Sequence, residues 1–288
     1  MKNNTYLAAD FGGGSGRIIA GTISNGKLHI EEIHRFTNRL VQLGKHIYWD
    51  FPCLFQDMKE GMRLAAKQGL KINGIGVDTW GVDFGLIDRN GNLLGNPVSY
   101  RDKRTVGIPE KVFDIISKSE HYRRTGIQAM PINTLFQLYS MLLEDNPQLT
   151  IADRLLFMPD LFNYFLTGIA ANEYSISSTS ELLNANTHTW DTDLLSQLKI
   201  PQHLFGEIRQ PGTILGKLKK EIAKETGLDE IDVITVGSHD TASAIAAIPA
   251  SGENYAFLSS GTWSLLGTET SHPILTEEAR IAQFTNEG

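Results

Sequence analysis

Apolar positions along the chain fall first in short runs and later in helical steps. Thr5–Ala9 is a short apolar stretch, Arg17–Ile23 is rich in β-branched residues, and Leu28–Phe36 alternates in part. Three strands are predicted. Ser24-Asn25-Gly26-Lys27 joins the second to the third as a hairpin turn, because Asn-Gly tolerates positive φ at both central positions. From Trp49 the spacing changes. Leu54, Met58, Met62 and Ala65 recur on one face of a helix, with Asp50 as N-cap, Pro52 in the first turn and Gly69 as the stop. Ile72–Asp78 then returns as a buried strand, so a helix crosses over between parallel strands. A second Asn-Gly turn stands at Asn90-Gly91. Residues 110–230 read mainly as helices and connections, one helix opening at Met158 with Asp160 in its first turn and ending at Gly168. The hydroxyl-rich run Ser175–Ser180 reads as a loop, either lining a polar cleft or, the favoured reading, lying on the surface. Ile231–Gly237 is a last strand, and an alanine-rich helix follows it with Ser238 as candidate N-cap and Asp240 in the first turn. The expected product is a mixed five-stranded sheet. Its first three strands are antiparallel, and the other two run parallel to the first.

The break between the first two strands reads AADFGGGSGR, residues 8–17. Two common phosphate loops are excluded. A dinucleotide fingerprint opens a helix, whereas this loop joins strand to strand. A Walker loop ends in Gly-Lys-Ser/Thr, whereas the Gly-Lys pairs here continue as Gly44-Lys45-His46 and Gly216-Lys217-Leu218. What remains is either a plain glycine turn or a hairpin tip offering backbone N–H groups and a hydroxyl to an anion. Asp10 bears on the choice: a carboxylate there repels phosphate unless it holds Mg²⁺, through water, and the metal bridges to the phosphate oxygens. Tyr255–Thr268 repeats the form of residues 6–23, strand, small polar tip, strand. Two such hairpins suggest a phosphate chain held between them. That is the duplicated α/β, ribonuclease-H-like architecture of the actin, Hsp70 and sugar-kinase group. Between the hairpins, Gly81 marks a close backbone approach. Asp83, Arg101 and Asp102 supply polar groups either to a ligand site or to a solvated edge.

Bulk properties narrow the partners. The 288 residues are 41% hydrophobic and 20% charged, enough for one large or two small folded domains. A formal charge of -7 and the lack of a basic block speak against nucleic acid or an anionic membrane as partner. Cys53 is the single cysteine, which excludes an intrachain disulfide and fits a reducing compartment. No apolar stretch approaches the ~18 residues of a membrane span, and Met1–Tyr6 lacks the apolar run of a secretion signal. A cytoplasmic location is expected.

Eight segments together resemble the FGGY carbohydrate kinases: AADFGGGSGR (8–17), EIHRFTN (32–38), GVDTWGVDF (76–84), YRDKRT (100–105), TGIQAMPINTLFQL (125–138), MPDLFNYFLTG (158–168), SHDTASA (238–244) and LSSGTWSLLG (258–267). The resemblance implies ATP and Mg²⁺ as cofactors and phosphorylation of a ketose on O1. L-rhamnulose is the expected acceptor. Another ketose or polyol, or a non-catalytic actin-like nucleotide-binding protein, is the alternative. It implies that Gly13, Gly14, Ser15, Gly16, Arg17 and Thr262 bind ATP, that Gly81, His239, Asp240 and Thr241 contact the sugar, and that Asp240 is the catalytic base. Asp10 lies near the metal. The family has two domains of similar size. Residues 1–247 are therefore expected to form the first, and residues 248–288 the opening hairpin of an incomplete second. The 288-residue chain is accordingly expected to be an inactive fragment without adenosine-binding residues.

Overall fold

The computed structural model describes residues 4–252, 255–261 and 263–288. Three antiparallel strands open the chain: β1 (Asn4–Phe11), β2 (Ser15–Ser24) and β3 (Lys27–Thr37). The turn between β2 and β3 has Asn25 at φ 52° and Gly26 at φ 73°, as Asn-Gly predicts. Helix α1 (Phe51–Lys67) leads to β4 (Ile72–Thr79), which lies parallel to β1. Two strands complete the sheet, β5 (Thr213–Lys217) and β6 (Asp232–Thr235), with β6 parallel to β4. The strand order is β5-β6-β4-β1-β2-β3. The five expected strands are present in the expected directions, and β5 adds an antiparallel sixth at the edge. Its sequence, TILGK, is mostly exposed and interrupted by Gly216, so it carries no alternation that would announce a strand.

Helix α1 begins where predicted. The Asp50 carboxylate accepts from Cys53 N at 3.3 Å, and Leu54, Met58, Met62 and Ala65 are buried against the sheet. Gly61 decides how close the helix comes: a Cβ there would stand 2.2 Å from Ile18 Cγ1 of β2. A second core lies beside the first. Its base is a two-stranded ribbon, Phe84–Asp88 against Ala152–Phe157, which the sequence did not announce. Phe136, Leu155, Phe157 and Leu194 fill it. Helix α2 (Met158–Thr167) ends at Gly168, φ 81°, and stacks Phe162 on Phe11 at 4.2 Å within the first core.

Two expectations are corrected. Ser175–Ser180 is not a surface loop. It forms α3 (Tyr174–Ser178) and its extension, and it is buried. The hydroxyls are satisfied locally: Ser178 Oγ, Thr179 Oγ1 and Ser180 Oγ donate to carbonyls three residues back, at 2.7, 2.8 and 2.6 Å. Such back-bonding lets a polar segment enter a core. Nor is Ser238 an N-cap. Helix α4 (Asp240–Ala246) is preceded by His239 without a side-chain cap, and Ser238 Oγ donates instead to Val236 O at 3.1 Å. The second hairpin forms as expected, Phe257–Ser260 against Ser264–Gly267, with Leu258, Trp263 and Leu266 exposed. Among the described residues no helix is long and apolar enough to cross a membrane.

The α1–β2 contact is testable. Gly61→Ala raises helix propensity by about 1 kcal/mol, but the added methyl overlaps Ile18. A net loss of about 1–3 kcal/mol is expected by urea unfolding, as for overpacked cores. Unchanged or higher stability would show that Ile18 yields freely.

Candidate active site

The parallel pairing of β1 with β4 sets Asp10 beside Asp78 and Phe11 beside Thr79. Both strands end here, at the carboxyl edge of the sheet, where open α/β sheets bind ligands. Beyond Phe11 the chain makes the glycine tip. Gly12 N donates to Ser15 O at 2.9 Å, and Asn38 fastens the tip from β3, its Nδ2 on Gly12 O at 2.9 Å and its N on Gly14 O at 3.2 Å. Gly13 and Gly14 use no positive φ. Nor do neighbouring protein atoms require glycine at either position. A Cβ on Gly14 would meet nothing within 4 Å, and one on Gly13 would stand 3.4 Å from Arg101 Nη2 and 3.5 Å from Tyr100 Oη. Gly16 is obligatory, because a Cβ would enter the Phe36 ring.

The tip is thus an open backbone surface with an arginine over it. Arg101 is brought to the glycine tip by the fold. Arg17, expected at phosphate, pairs with Asp10 at 2.6 Å. The donor set suits a hard cation held through water. Among the described residues no three carboxylates or imidazoles converge closely enough to chelate a metal directly. Yet burial, then Asp10 and Asp240, push the Asp78 carboxyl well above its ordinary range, a crowding that a cation relieves.

Gly81 and the His239-Asp240-Thr241 triplet come together although 158 positions separate Gly81 from His239 in the chain. A Cβ on Gly81 would lie 3.3 Å from His239 Nε2 and 3.5 Å from Thr179 Oγ1. Asp240 Oδ1 lies 3.5 Å from His239 Nε2 and accepts from Thr241 Oγ1 at 3.3 Å. Burial raises the Asp240 pKa, with His239 opposing and Asp10 adding a smaller push upward. On its other side His239 Nδ1 stands 2.8 Å from a Glu287 carboxylate oxygen, an ion pair rather than an aligned hydrogen bond. Burial pulls the imidazole pKa down, but Glu287, then Asp240 and Glu173, outweigh it and hold it above the usual value. Thr262 lies outside the described residues.

Two neighbours of this site escaped the sequence reading, Glu287 and Asp78, and a third, Thr179, lies in the hydroxyl-rich run whose cleft-lining reading is the less favoured one. Asp78 had a legible signal, a carboxylate at the end of a buried parallel strand. Glu287 had none. Conversely, Asp83 and Asp102 are not ligand groups. Asp83 is fully buried and accepts from Trp49 Nε1 at 2.6 Å, Trp80 Nε1 at 3.0 Å, Tyr100 N at 3.0 Å and Gln137 Nε2 at 2.9 Å. Asp102 accepts from Ile47 N and Arg104 N, both at 2.8 Å. Between Gly81 and Asp83, Val82 has φ 66°, which costs a β-branched residue about 1–2 kcal/mol. Thr134 Oγ1 holds it there by donating to Val82 O at 2.7 Å.

Burial pushes the Asp83 carboxyl up to about 6, against the pull of its four donors. With an ordinary value of 3.8 in the unfolded chain, ionising Asp83 works against folding. Its contribution is full below 3.8 and is lost as pH rises through about 6. Asp83→Asn cannot ionise. Relative to that variant, the natural protein should lose on the order of 2–3 kcal/mol between pH 4 and pH 7. Urea unfolding of both proteins across that range reads the difference, and parallel curves would refute it.

The family profile of the FGGY carbohydrate kinases, N-terminal domain, matches residues 5–247. A rhamnulokinase of Bacteroides thetaiotaomicron is 48% identical over 288 residues, covering 100% of this chain and 59% of that protein. A rhamnulokinase of Enterococcus faecalis is 42% identical over 288 residues, covering 100% of this chain and 58% of that protein. The chain therefore spans less than two thirds of the length of these relatives. Among solved structures, a carbohydrate kinase from Novosphingobium aromaticivorans superposes with a TM-score of 0.78 at 21% identity, over 96% of this chain and 58% of that one. A ligand-bound xylulose kinase from Lactobacillus acidophilus gives 0.74 at 22% identity, over 82% and 48%. These likenesses show the fold, a mixed sheet with hairpin tips at its carboxyl edge. With the profile match across both the glycine tip and the His239-Asp240-Thr241 triplet, the chain belongs to the FGGY family of carbohydrate kinases.

Proposed function

We propose that the chain carries the acceptor site and one phosphate loop of an ATP-dependent sugar kinase that phosphorylates L-rhamnulose on O1. One observation supports this above the rest: Gly81, His239 and Asp240 meet at the end of β4, beside the glycine tip. A nucleotide-binding protein without an acceptor has no use for a half-buried carboxylate of raised pKa at that place. The choice of sugar rests on the relatives, rhamnulokinases at 38–48% identity.

In this reading Gly13, Gly14, Ser15, Gly16 and Arg17, with Thr262 from the second hairpin, bind the phosphates of ATP. Arg101 adds a cation above the tip. Gly81 leaves room for the sugar, and His239 and Thr241 orient it. Asp240 accepts the O1 proton as that oxygen bonds to the γ-phosphorus, whose bond to the β–γ bridging oxygen breaks to release ADP. A base works best with a pKa near the operating pH, so the upward shift of Asp240 favours this role. Mg²⁺ near Asp10, held through water, would neutralise charge on the phosphate oxygens. Residues 1–247 form the sugar and phosphate domain, and residues 248–288 begin the nucleotide domain. The protein acts in the cytoplasm on small molecules, with no nucleic acid or membrane partner.

In the full-length protein, Asp240→Asn should lower kcat by roughly 10²–10⁴ while leaving ATP affinity almost unchanged. An ATP-coupled assay over L-rhamnulose, D-xylulose and glycerol tests the acceptor. Faster turnover of xylulose or glycerol would replace the sugar, and an unchanged kcat would remove Asp240 from the chemistry.

A further inference from the structure

Asp240 opens a seven-residue helix just past the sheet, tied to it by a single parallel bridge between His239 and Thr79 at the end of β4. β6 ends at Thr235, and its pairing with β4 stops at Ile234. The residues leading to Asp240 are fixed from outside. Glu173, 1% exposed, accepts from Ser238 N at 3.2 Å. The same carboxylate accepts from Ser175 N at 2.9 Å, Ser175 Oγ at 2.7 Å and Ile176 N at 3.1 Å. Ser175 Oγ, while donating to Glu173, accepts from His239 N at 3.2 Å. From the opposite side Thr79 N donates to Ser238 O at 2.9 Å. Two successive amides, those of Ser238 and His239, therefore hang on one buried acid and its hydroxyl relay.

Capping accounts for only part of this. Glu173 is the N-cap of α3, and the bonds from Ser175 N and Ile176 N satisfy that role. A serine or asparagine caps as well without a fully desolvated charge. The bonds to Ser238 and His239 reach 65 and 64 positions along the chain and serve nothing in α3. They hold the backbone immediately before the proposed base. Small displacements of a catalytic group cost turnover steeply, on the order of 10²-fold for about 1 Å.

We propose that Glu173 is a positioning residue for phosphoryl transfer, holding the Ser238–His239 backbone directly and through Ser175 so that Asp240 faces the acceptor. The inference rests on the reading of Asp240 as the base.

Two variants test it in the full-length protein. Glu173→Asp still caps α3 but is one methylene shorter toward Ser238. Ser175→Ala deletes only the relay to His239. Each should lower kcat by about 10-fold or more while KM for L-rhamnulose and for ATP stays within about two-fold, as expected for loss of alignment rather than of binding. Independently of activity, the Ser238 amide proton resonance of the 288-residue chain should shift in Glu173→Asp, and exchange of the Ser238 and His239 amides should quicken. If kcat holds in both variants while Asp240→Asn abolishes turnover, Glu173 is only a helix cap and the inference falls alone. If Asp240→Asn leaves kcat unchanged, the role of the base and this inference fall together. An unmoved Ser238 resonance would overturn the hydrogen bond itself.

Discussion

The register between β1 and β4 is the constraint on which the site depends. Parallel pairing runs from Tyr6 opposite Gly74 to Phe11 opposite Thr79 without a slip. It ends by setting Asp10 beside Asp78, and the backbone continues in step, Trp80 N donating to Phe11 O at 3.2 Å and Thr79 N to Ser238 O at 2.9 Å. A one-residue slip would turn every side chain of a strand to the opposite face. Here it would also shift the glycine tip away from Gly81 and His239, which follow β4 and its bridge at Thr79. The buried faces of Leu7, Ala9, Phe11, Ile75 and Val77 make such a slip expensive, so core packing and site geometry are enforced by the same contacts.

Around that register the polar groups are arranged as supports. Asp83, Asp160, Glu173 and Glu181 are all buried acids. Asp160 accepts from Glu173 N at 3.0 Å and Asn172 Nδ2 at 3.2 Å, so one acid fixes the residue that carries the next. Glu181 meets His121 at 3.3 Å, and burial pushes the carboxyl well up and the imidazole down to about 4, so burial disfavours the charged form of each. Networks of this kind rigidify a core only when each member is satisfied. One of these acids, Glu173, holds the Ser238–His239 stretch directly and through Ser175, while Val82 is held by the hydroxyl of Thr134 and the amide of Gln137.

Much of this was legible. Asn25-Gly26, Asp50 with Pro52, and the Leu54–Ala65 stripe act through local geometry, and local geometry is written in neighbouring residues. The alternation of strand, helix and strand gave the parallel pairing of β1 and β4. β5 escaped because an exposed edge strand needs no apolar face. Ser175–Ser180 misled because composition counts hydroxyls without showing where they point, and those of Ser178, Thr179 and Ser180 back-bond to their own helix. Asp83 misled in the opposite direction: a charge beside a glycine looked like a ligand group until four donors from distant segments closed around it. Glu287 and Thr179 join the site through contacts that only the folded chain makes.

The two indoles on Asp83 have a further consequence. Trp49 and Trp80 lie 4.1 Å apart, centroid to centroid, and both donate their N–H to one carboxylate oxygen. That makes them a native optical reporter. Indole emission responds to the charge and hydrogen bonding of its nitrogen, so this pair signals the state of a carboxylate two residues from Gly81. The other two tryptophans, Trp190 and Trp263, are far from it in the chain, and Trp263 is 55% exposed. Changes in emission that Asp83→Asn removes therefore report the buried pair, and with it the loop at Gly81, without any added dye.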